Sequence, residues 1–380
     1  DYFWDLCDQK GILVLAGWPC CNHFERWDIW KYGDINVARE SERSQILRLR
    51  NHPSFAAWLY GSDFPPPENV ERVYLEDVLN MWEICGFNAV YVSYQMDNIA
   101  EFISELKRLG ITIFLIFPVF QDPDELKKEP SLYSRMKDGR EAKEDWVEFA
   151  CPSNEVFLQR KGLLLERLVE TLDIDVISFD FIRYFVFWEV IHPNTSPEDL
   201  PETCYCERCR RRFNSAFPNS QLDTPDWVQF KCDTITSGVQ YLTKIAKRVK
   251  PSIRVSLHTL PWKQSDFNGG IKRIASQDFT ALGKYADFLS PMIYHHMIYK
   301  KPEWIPSLLN DIKSVYHGAI LPSLQVNHSY RNEELSPNEF EQAIDECLRV
   351  PIAGIIFWNN DALLTNKEKQ EIVRRKIHEI

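Results

Sequence analysis

The chain contains no glycine-rich phosphate loop, no dinucleotide fingerprint and no Gly-x-Ser-x-Gly elbow. Kinase, nucleotide-dependent dehydrogenase and α/β-hydrolase readings therefore have no motif behind them. Long apolar runs are missing too, since none reaches the about 20 residues that a membrane-spanning helix needs. Positive charge is scarce where it would count. The formal net charge is -11, and no stretch gathers enough Lys and Arg to neutralise a run of phosphates, which argues against a nucleic-acid partner. The densest basic cluster, Arg208-Cys-Arg-Arg-Arg212, reads as a solvated helix face. The N-terminus lacks the charged and apolar regions of a signal peptide. A reducing, cytoplasmic setting is the default expectation, although the chain begins at Asp1 rather than Met and an upstream leader stays open.

What is present is ample core material. Of 380 residues, 44% are hydrophobic and 13% aromatic, enough for one large domain or two medium ones. The twelve Trp, fifteen Tyr and twenty-three Phe are mostly core, but flat apolar rings also suit the faces of sugars. Ten cysteines do not by themselves make a disulfide scaffold at this length.

From residue 68 onward, apolar runs alternate with helical patterns that stop at glycines such as Gly86 and Gly110. Strands are predicted near residues 55, 87, 111, 175, 253, 287, 319 and 354. Eight strand and helix units of this size predict an α/β protein, a (β/α)8 TIM barrel over residues 54–380. The loop after its fourth strand, Phe185 to Asp226, exceeds the usual connection length and is expected to be functional. Residues 1–53 form an extra N-terminal segment, with a strand near Ile12 and a polar helix from about Ala38 to Leu49.

In such a barrel, chemistry sits where the strands end. The run Asp175-Val-Ile-Ser-Phe-Asp-Phe-Ile-Arg-Tyr184 delivers Asp180, Arg183 and Tyr184 to that face. Other strand ends add Asp63, Tyr94, His258, Tyr294 with His295, Gln325, and Trp358 with Asn359 and Asp361. Glycoside cleavage needs two carboxyl groups flanking the scissile bond. Asp180 is the leading candidate acid, and Asp63 and Asp361 compete for the second place, with a helix or turn cap as the structural alternative for Asp361. Arg183, Tyr184, Tyr94, His258, Tyr294, His295, Gln325, Trp358 and Asn359 are candidates for binding substrate. No cofactor is required. Cys204-Tyr-Cys-Glu-Arg-Cys209 places three thiols within reach of one structural zinc, if Cys151, Cys232 or a histidine supplies the fourth ligand.

Two resemblances bear on this reading. The segments DLCDQKGILVLAGWPCC and LRLRNHPSFAAWLYGSDFPPP resemble the catalytic barrel of family 2 glycoside hydrolases, exo-β-glucosaminidase branch, over about the first 75 residues. That resemblance implies a general acid/base role for Asp63, but no counterpart of the family's nucleophile strand is found. The motifs GFNAVYVSYQ, FACPSN, ISFDFIRY, CYCERCRRRF, SPMIYHH and GIIFWNN, over roughly residues 70–380, are similar to glycoside hydrolase-like barrels related to family 10-like and α-amylase-like enzymes. They imply that Asp180 is the acidic centre, with Arg183 and Tyr184 orienting it or binding sugar hydroxyls. The expected function is hydrolysis of O-glycosidic bonds in an oligo- or polysaccharide. The alternatives are a carbohydrate-binding pseudoenzyme and a chimeric or truncated glycosidase with an incomplete site.

Overall fold

The computed structural model describes residues 78–96 and 99–377 in full and the backbone of two earlier strands. The chain divides into two compact units, Asp1–Trp82 and Glu83–Ile380.

In the first unit, β1 (Val14–Gly17) and β2 (Phe55–Leu59) pair in parallel, with Leu15 opposite Ala57 and Gly17 opposite Leu59. The strand expected to open the barrel is β2, and its partner among the described residues is the extra strand β1. A parallel pair needs a crossover of a dozen or more residues, which the stretch between the two strands supplies. Asp63 and the Pro-rich turn beyond it lie outside the described residues.

The second unit is an α/β fold whose parallel sheet curves like that of a TIM barrel. Its strands follow chain order: β3 (Ala89–Ser93), β4 (Thr112–Pro118), β7 (Val176–Asp180), β8 (Arg254–Thr259), β9 (Phe288–Ile293), β10 (Ala319–Ile320) continued by β11 (Ser323–Gln325), and β12 (Ile356–Trp358). A small antiparallel hairpin, β5 (Lys143–Glu144) and β6 (Val147–Glu148), stands in the connection after β4. β10 and β11 are one strand interrupted at Pro322, which has no backbone N–H to donate to the ladder. No strand joins β12 to β3 among the described residues. The sheet nevertheless curls until Phe87, just before β3, meets Phe357 of β12 with ring centroids 5.8 Å apart.

Sequence chemistry explains the elements. The central strands are apolar on both faces because helices cover them outside and the barrel interior fills inside: Ile113, Leu115, Ile177, Leu257 and Leu289 are fully buried. Tyr91 and Phe114 stack at 4.4 Å in that interior. Helix α1 (Ile99–Arg108) ends at Gly110, whose φ of 76° is accessible to glycine without strain, and the amide of Ile111 then reaches back to the carbonyl of Leu106. Helix α2 (Pro123–Lys128) is capped by Asp122. Helix α3 (Glu155–Thr171) begins where the side chain of Asn154 accepts the amide of Phe157. The long connection after β7 is not bare loop: it carries helix α4 (Glu207–Ala216), anchored by buried Cys209 and Phe213, before helix α5 (Pro225–Val249) returns along the barrel. Among the described residues no helix is long and apolar enough to cross a membrane.

Candidate functional site

Register fixes where the acidic centre sits. Asp180 closes β7 level with Pro118 of β4, and its carbonyl accepts the amide of Val119 at 2.9 Å. The next residue, Phe181, has φ 52°, a left-handed conformation that a bulky side chain rarely adopts, and its amide donates to Asp180 Oδ1 at 2.6 Å. This turn throws Arg183 inward. The guanidinium is 1% exposed and lies over the rings of Phe181 and Phe149, at 4.9 and 5.2 Å. Its Nε and one terminal nitrogen make no hydrogen bond within the protein.

Glu189 shares this environment. It sits on a single 3-10 turn, Trp188–Val190, in the connection after β7, and its Oε2 is buried with no protein partner. Burial lifts its carboxyl to about 7; Arg183 opposes the rise and Asp180 adds to it. Two carboxyl groups and a guanidinium therefore lie within electrostatic reach of one another near the C-terminal end of β7. Sequence reasoning did not single out Glu189, because the residue lies on no strand end. The one signal in its favour is the length of the connection that carries it.

His258, near the end of β8, is buried, and neither ring nitrogen has a hydrogen-bond partner within the protein. Burial lowers its pKa against the pull of Asp180, so the imidazole stays neutral with one donor and one acceptor available. Tyr91 reaches the same region: its ring lies 5.7 Å from His258, and burial pushes its phenol up to about 12. Tyr294, after β9, stacks on Trp358 at 5.0 Å and donates to or accepts from Ser323, with Asp180 and Glu189 in electrostatic reach. Trp358 is 37% exposed, so a face of the stack is open. Such a density of buried polar atoms without internal partners suits a polar ligand or ordered water, because native interiors leave few such atoms unsatisfied.

The remaining candidates occupy other surroundings. Gln325 accepts the amide of Met297 at 3.0 Å and donates to the carbonyl of Asn327 at 2.9 Å, so its side chain shapes the adjoining loops. His295 and His296 both contact Glu339 Oε1, at 3.1 and 3.2 Å, tying the end of β9 to helix α6 (Pro337–Leu348). Asn359 caps helix α7 (Asn360–Leu364) by accepting the amide of Ala362, and Asp361 is an exposed residue of its first turn. Tyr94 is half-buried against Phe117, with Asp122 and Asp124 nearby. Burial pushes the Tyr184 phenol up, and Cys209, Cys151 and Cys204 push it further, which places this residue beside the thiols.

Those thiols form one cluster. The sulfurs of Cys151, Cys204, Cys206 and Cys209 all lie within 4.8 Å of one another, with Cys151 3.4 Å from Cys209 and 3.6 Å from Cys206. A tetrahedral centre with metal–sulfur bonds of about 2.3 Å requires sulfurs about 3.8 Å apart, so the set fits a metal such as zinc. Backbone amides support the sulfurs: Arg135 donates to Cys204 and Cys209 to Cys206. Of the possible fourth ligands, Cys151 occupies the place, while Cys232 lies elsewhere, its thiol directed at the carbonyl of Lys272.

No family model matches the chain. Over 83 residues it is 43% identical to the exo-β-D-glucosaminidase of Streptomyces avermitilis, a stretch covering 20% of this chain and 9% of that protein. With the exo-β-D-glucosaminidase of Amycolatopsis orientalis it shares 36% identity over 83 residues, 20% of this chain and 8% of the relative. The chain thus spans under a tenth of the length of these two curated relatives. Its fold superposes on the glycoside hydrolase domain of PgaB (BpsB) from Bordetella bronchiseptica with a TM-score of 0.64 at 12% identity, covering 82% of this chain and 94% of that one. The GH42 β-galactosidase Gan42B from G. stearothermophilus gives 0.60 at 13% identity, over 81% and 54% of the two chains. The fold is the TIM-barrel-like fold of glycoside hydrolases, with partial sequence similarity to exo-β-D-glucosaminidases.

Proposed function

We propose that this glycoside hydrolase-like barrel cleaves O-glycosidic bonds of an oligo- or polysaccharide, with Asp180 and Glu189 as its carboxyl pair. The observation that carries the reading is Glu189: a buried carboxyl with a pKa lifted to about 7, beside Arg183 and Asp180 at the end of β7. A carboxyl that keeps its proton near neutrality is suited to be the general acid. Glu189 gives its proton to the leaving oxygen as the bond to the anomeric carbon breaks. Asp180 stabilises the developing positive charge or activates the water whose hydroxyl completes the carbon; the second water proton returns to a carboxylate. Arg183 brings a buried positive charge, with two donor nitrogens that have no partner within the protein, to the same end of β7. His258 holds a sugar hydroxyl through ring nitrogens that have no partner within the protein. Tyr294 and Trp358 offer a ring face.

We further propose that the four cysteines hold one structural zinc, which ties the connection after β4, through Cys151, to the connection after β7. The ion would be four-coordinate and closed, with no position for substrate.

A screen of natural and chromogenic glycosides with wild type and Asp180→Asn tests the catalytic reading. Turnover by the wild type and its loss in a folded Asp180→Asn protein is the expected result. Full activity of the variant on an identified glycan refutes the assignment, and binding without turnover by the wild type leaves a carbohydrate-binding pseudoenzyme.

A further inference from the structure

Three connections that leave different strands meet in one aromatic group beside the carboxyl pair. The β5–β6 hairpin turns through Asp145, φ 52°, and presents Trp146, which is 42% exposed. The connection after β11 turns through Tyr330, φ 57° and 45% exposed, whose phenol oxygen accepts the indole N–H of Trp146 at 2.6 Å. Phe187, from the connection after β7, stands edge-on to both, at 5.9 Å from Trp146 and 5.7 Å from Tyr330. Trp146 also lies edge-on to Phe181 at 6.2 Å. Large exposed aromatics are ordinarily free to move. Here the edge-on contacts and a hydrogen bond across 184 residues of chain hold two of them still, and positive φ values at Tyr330 and Phe181 are strain of the kind found at ligand clamps.

The position of this wall is informative. Phe181 follows Asp180 in the chain, and Phe187 stands two residues before Glu189. The intervening Trp188 sends its ring the other way, to Tyr294 at 5.9 Å, and so joins the Tyr294–Trp358 stack. Two aromatic walls therefore flank the segment that carries Glu189. Through Phe187 the Trp146–Tyr330 wall packs against the segment that carries Glu189, the proposed donor to the leaving oxygen, while Trp188 of that segment joins the other wall.

We infer that Trp146 and Tyr330 form a leaving-group subsite, binding the sugar ring beyond the scissile bond, while the Tyr294–Trp358 wall holds the ring whose anomeric carbon is attacked. This rests on the catalytic reading above and narrows it: the substrate spans both walls, so the chain acts on oligosaccharides rather than on simple glycosides. Because the aromatic faces are held in place before binding, little ordering is left to oppose the contact.

The test compares Trp146→Ala and Trp146→Phe with wild type on two kinds of substrate. The first is β-linked oligosaccharides of glucosamine, galactose and glucose, from dimer to hexamer. The second is the matching β-glycosyl fluorides, whose small leaving group cannot fill the subsite. Trp146→Ala is expected to lower kcat/KM for the oligosaccharide on the order of 10- to 100-fold relative to the fluoride, and Trp146→Phe to restore part of the loss. Equal losses on both substrates, no loss on the oligosaccharide, or a phenylalanine variant as poor as the alanine one overturns the subsite. Calorimetric binding of the same oligosaccharides in the Asp180→Asn background separates the two ideas. If the wild type hydrolyses nothing while Trp146→Ala still weakens binding about tenfold or more, the catalytic reading falls and the wall stands as a sugar-binding surface. If the wild type turns over oligosaccharides and Trp146→Ala changes neither binding nor kcat/KM, the wall falls and the catalytic reading stands.

Discussion

Glu189→Gln is the substitution that probes the site most directly, because it keeps shape and removes the proton. Lifting a carboxyl from 4.5 to about 7 corresponds to about 3 kcal/mol of preference for its protonated form in the folded protein. Between pH 4.5 and 7 the folded state then binds more protons at this residue than the unfolded state does. The associated stability is fully present below pH 4.5 and is lost as pH rises through about 7. Wild type is therefore expected to lose up to about 3 kcal/mol of unfolding free energy between pH 4.5 and 8 from this residue, measured by urea titration, and Glu189→Gln to lose that much less. The kinetic signature runs in parallel. The general acid must hold its proton, so the rate falls on the basic side of about pH 7. In the glutamine variant that limb disappears and the rate on substrates with poor leaving groups drops on the order of 10²- to 10⁴-fold. An unchanged basic limb in Glu189→Gln, or identical pH dependence of stability in the two proteins, would refute the assignment of Glu189 as the proton donor.

Other perturbations follow from single contacts. One equivalent of zinc per chain is expected by metal analysis of protein purified without added metal, and a strong chelator or Cys206→Ser should lower the thermal midpoint; a metal-free sample of equal stability would remove the zinc. A Cβ at Gly162 of α3 would stand 2.7 Å from Ile245 Cδ1 and 3.0 Å from the Tyr241 ring on α5, both movable ends, so the cost of shifting them should nearly cancel the better helix propensity and Gly162→Ala should change stability by less than about 1 kcal/mol by calorimetry. Hydrogen bonding to His295 and then His296 holds the Glu339 carboxyl down at about 2, so its stabilisation is present above pH 4.5 and lost as pH falls toward 2. Glu339→Gln should accordingly flatten the acid limb of stability followed by circular dichroism.

The sheet was legible because strands buried on both faces read as unbroken apolar runs, and because helices between them stop at glycines such as Gly110 that adopt positive φ. Pairing was less legible. Phe55–Leu59 looks like any other buried strand, and periodicity carries no record of its partner, which among the described residues is Val14–Gly17. The same limit applies to side chains at strand ends. Position places the Cα of Gln325 and Asn359 at the mouth, but Met297, Asn327 and Ala362 decide where their amides are bound. Spacing brought three cysteines together; the fourth, Cys151, lies 53 or more residues earlier, and only the packing of two connections distinguishes it from Cys232.

That packing also explains why Glu189 escaped a reading based on strand ends. Cys151 follows β6, Ser153 receives the thiol of Cys209, and Arg183 lies on Phe149, so the connection after β4 and the connection after β7 are bound to each other at several points. One of these connections carries Trp146 and the other Glu189. Trp146 is placed by the β5–β6 hairpin within the first connection and Glu189 by the second, and neither lies at the end of a barrel strand. In the proposed site the strand contributes Asp180 and the connection contributes Glu189 as the second carboxyl. On the proposed reading, stripping a bound metal from the thiol cluster should lower turnover at a chelator concentration where the parallel sheet, followed by far-ultraviolet circular dichroism, is still intact.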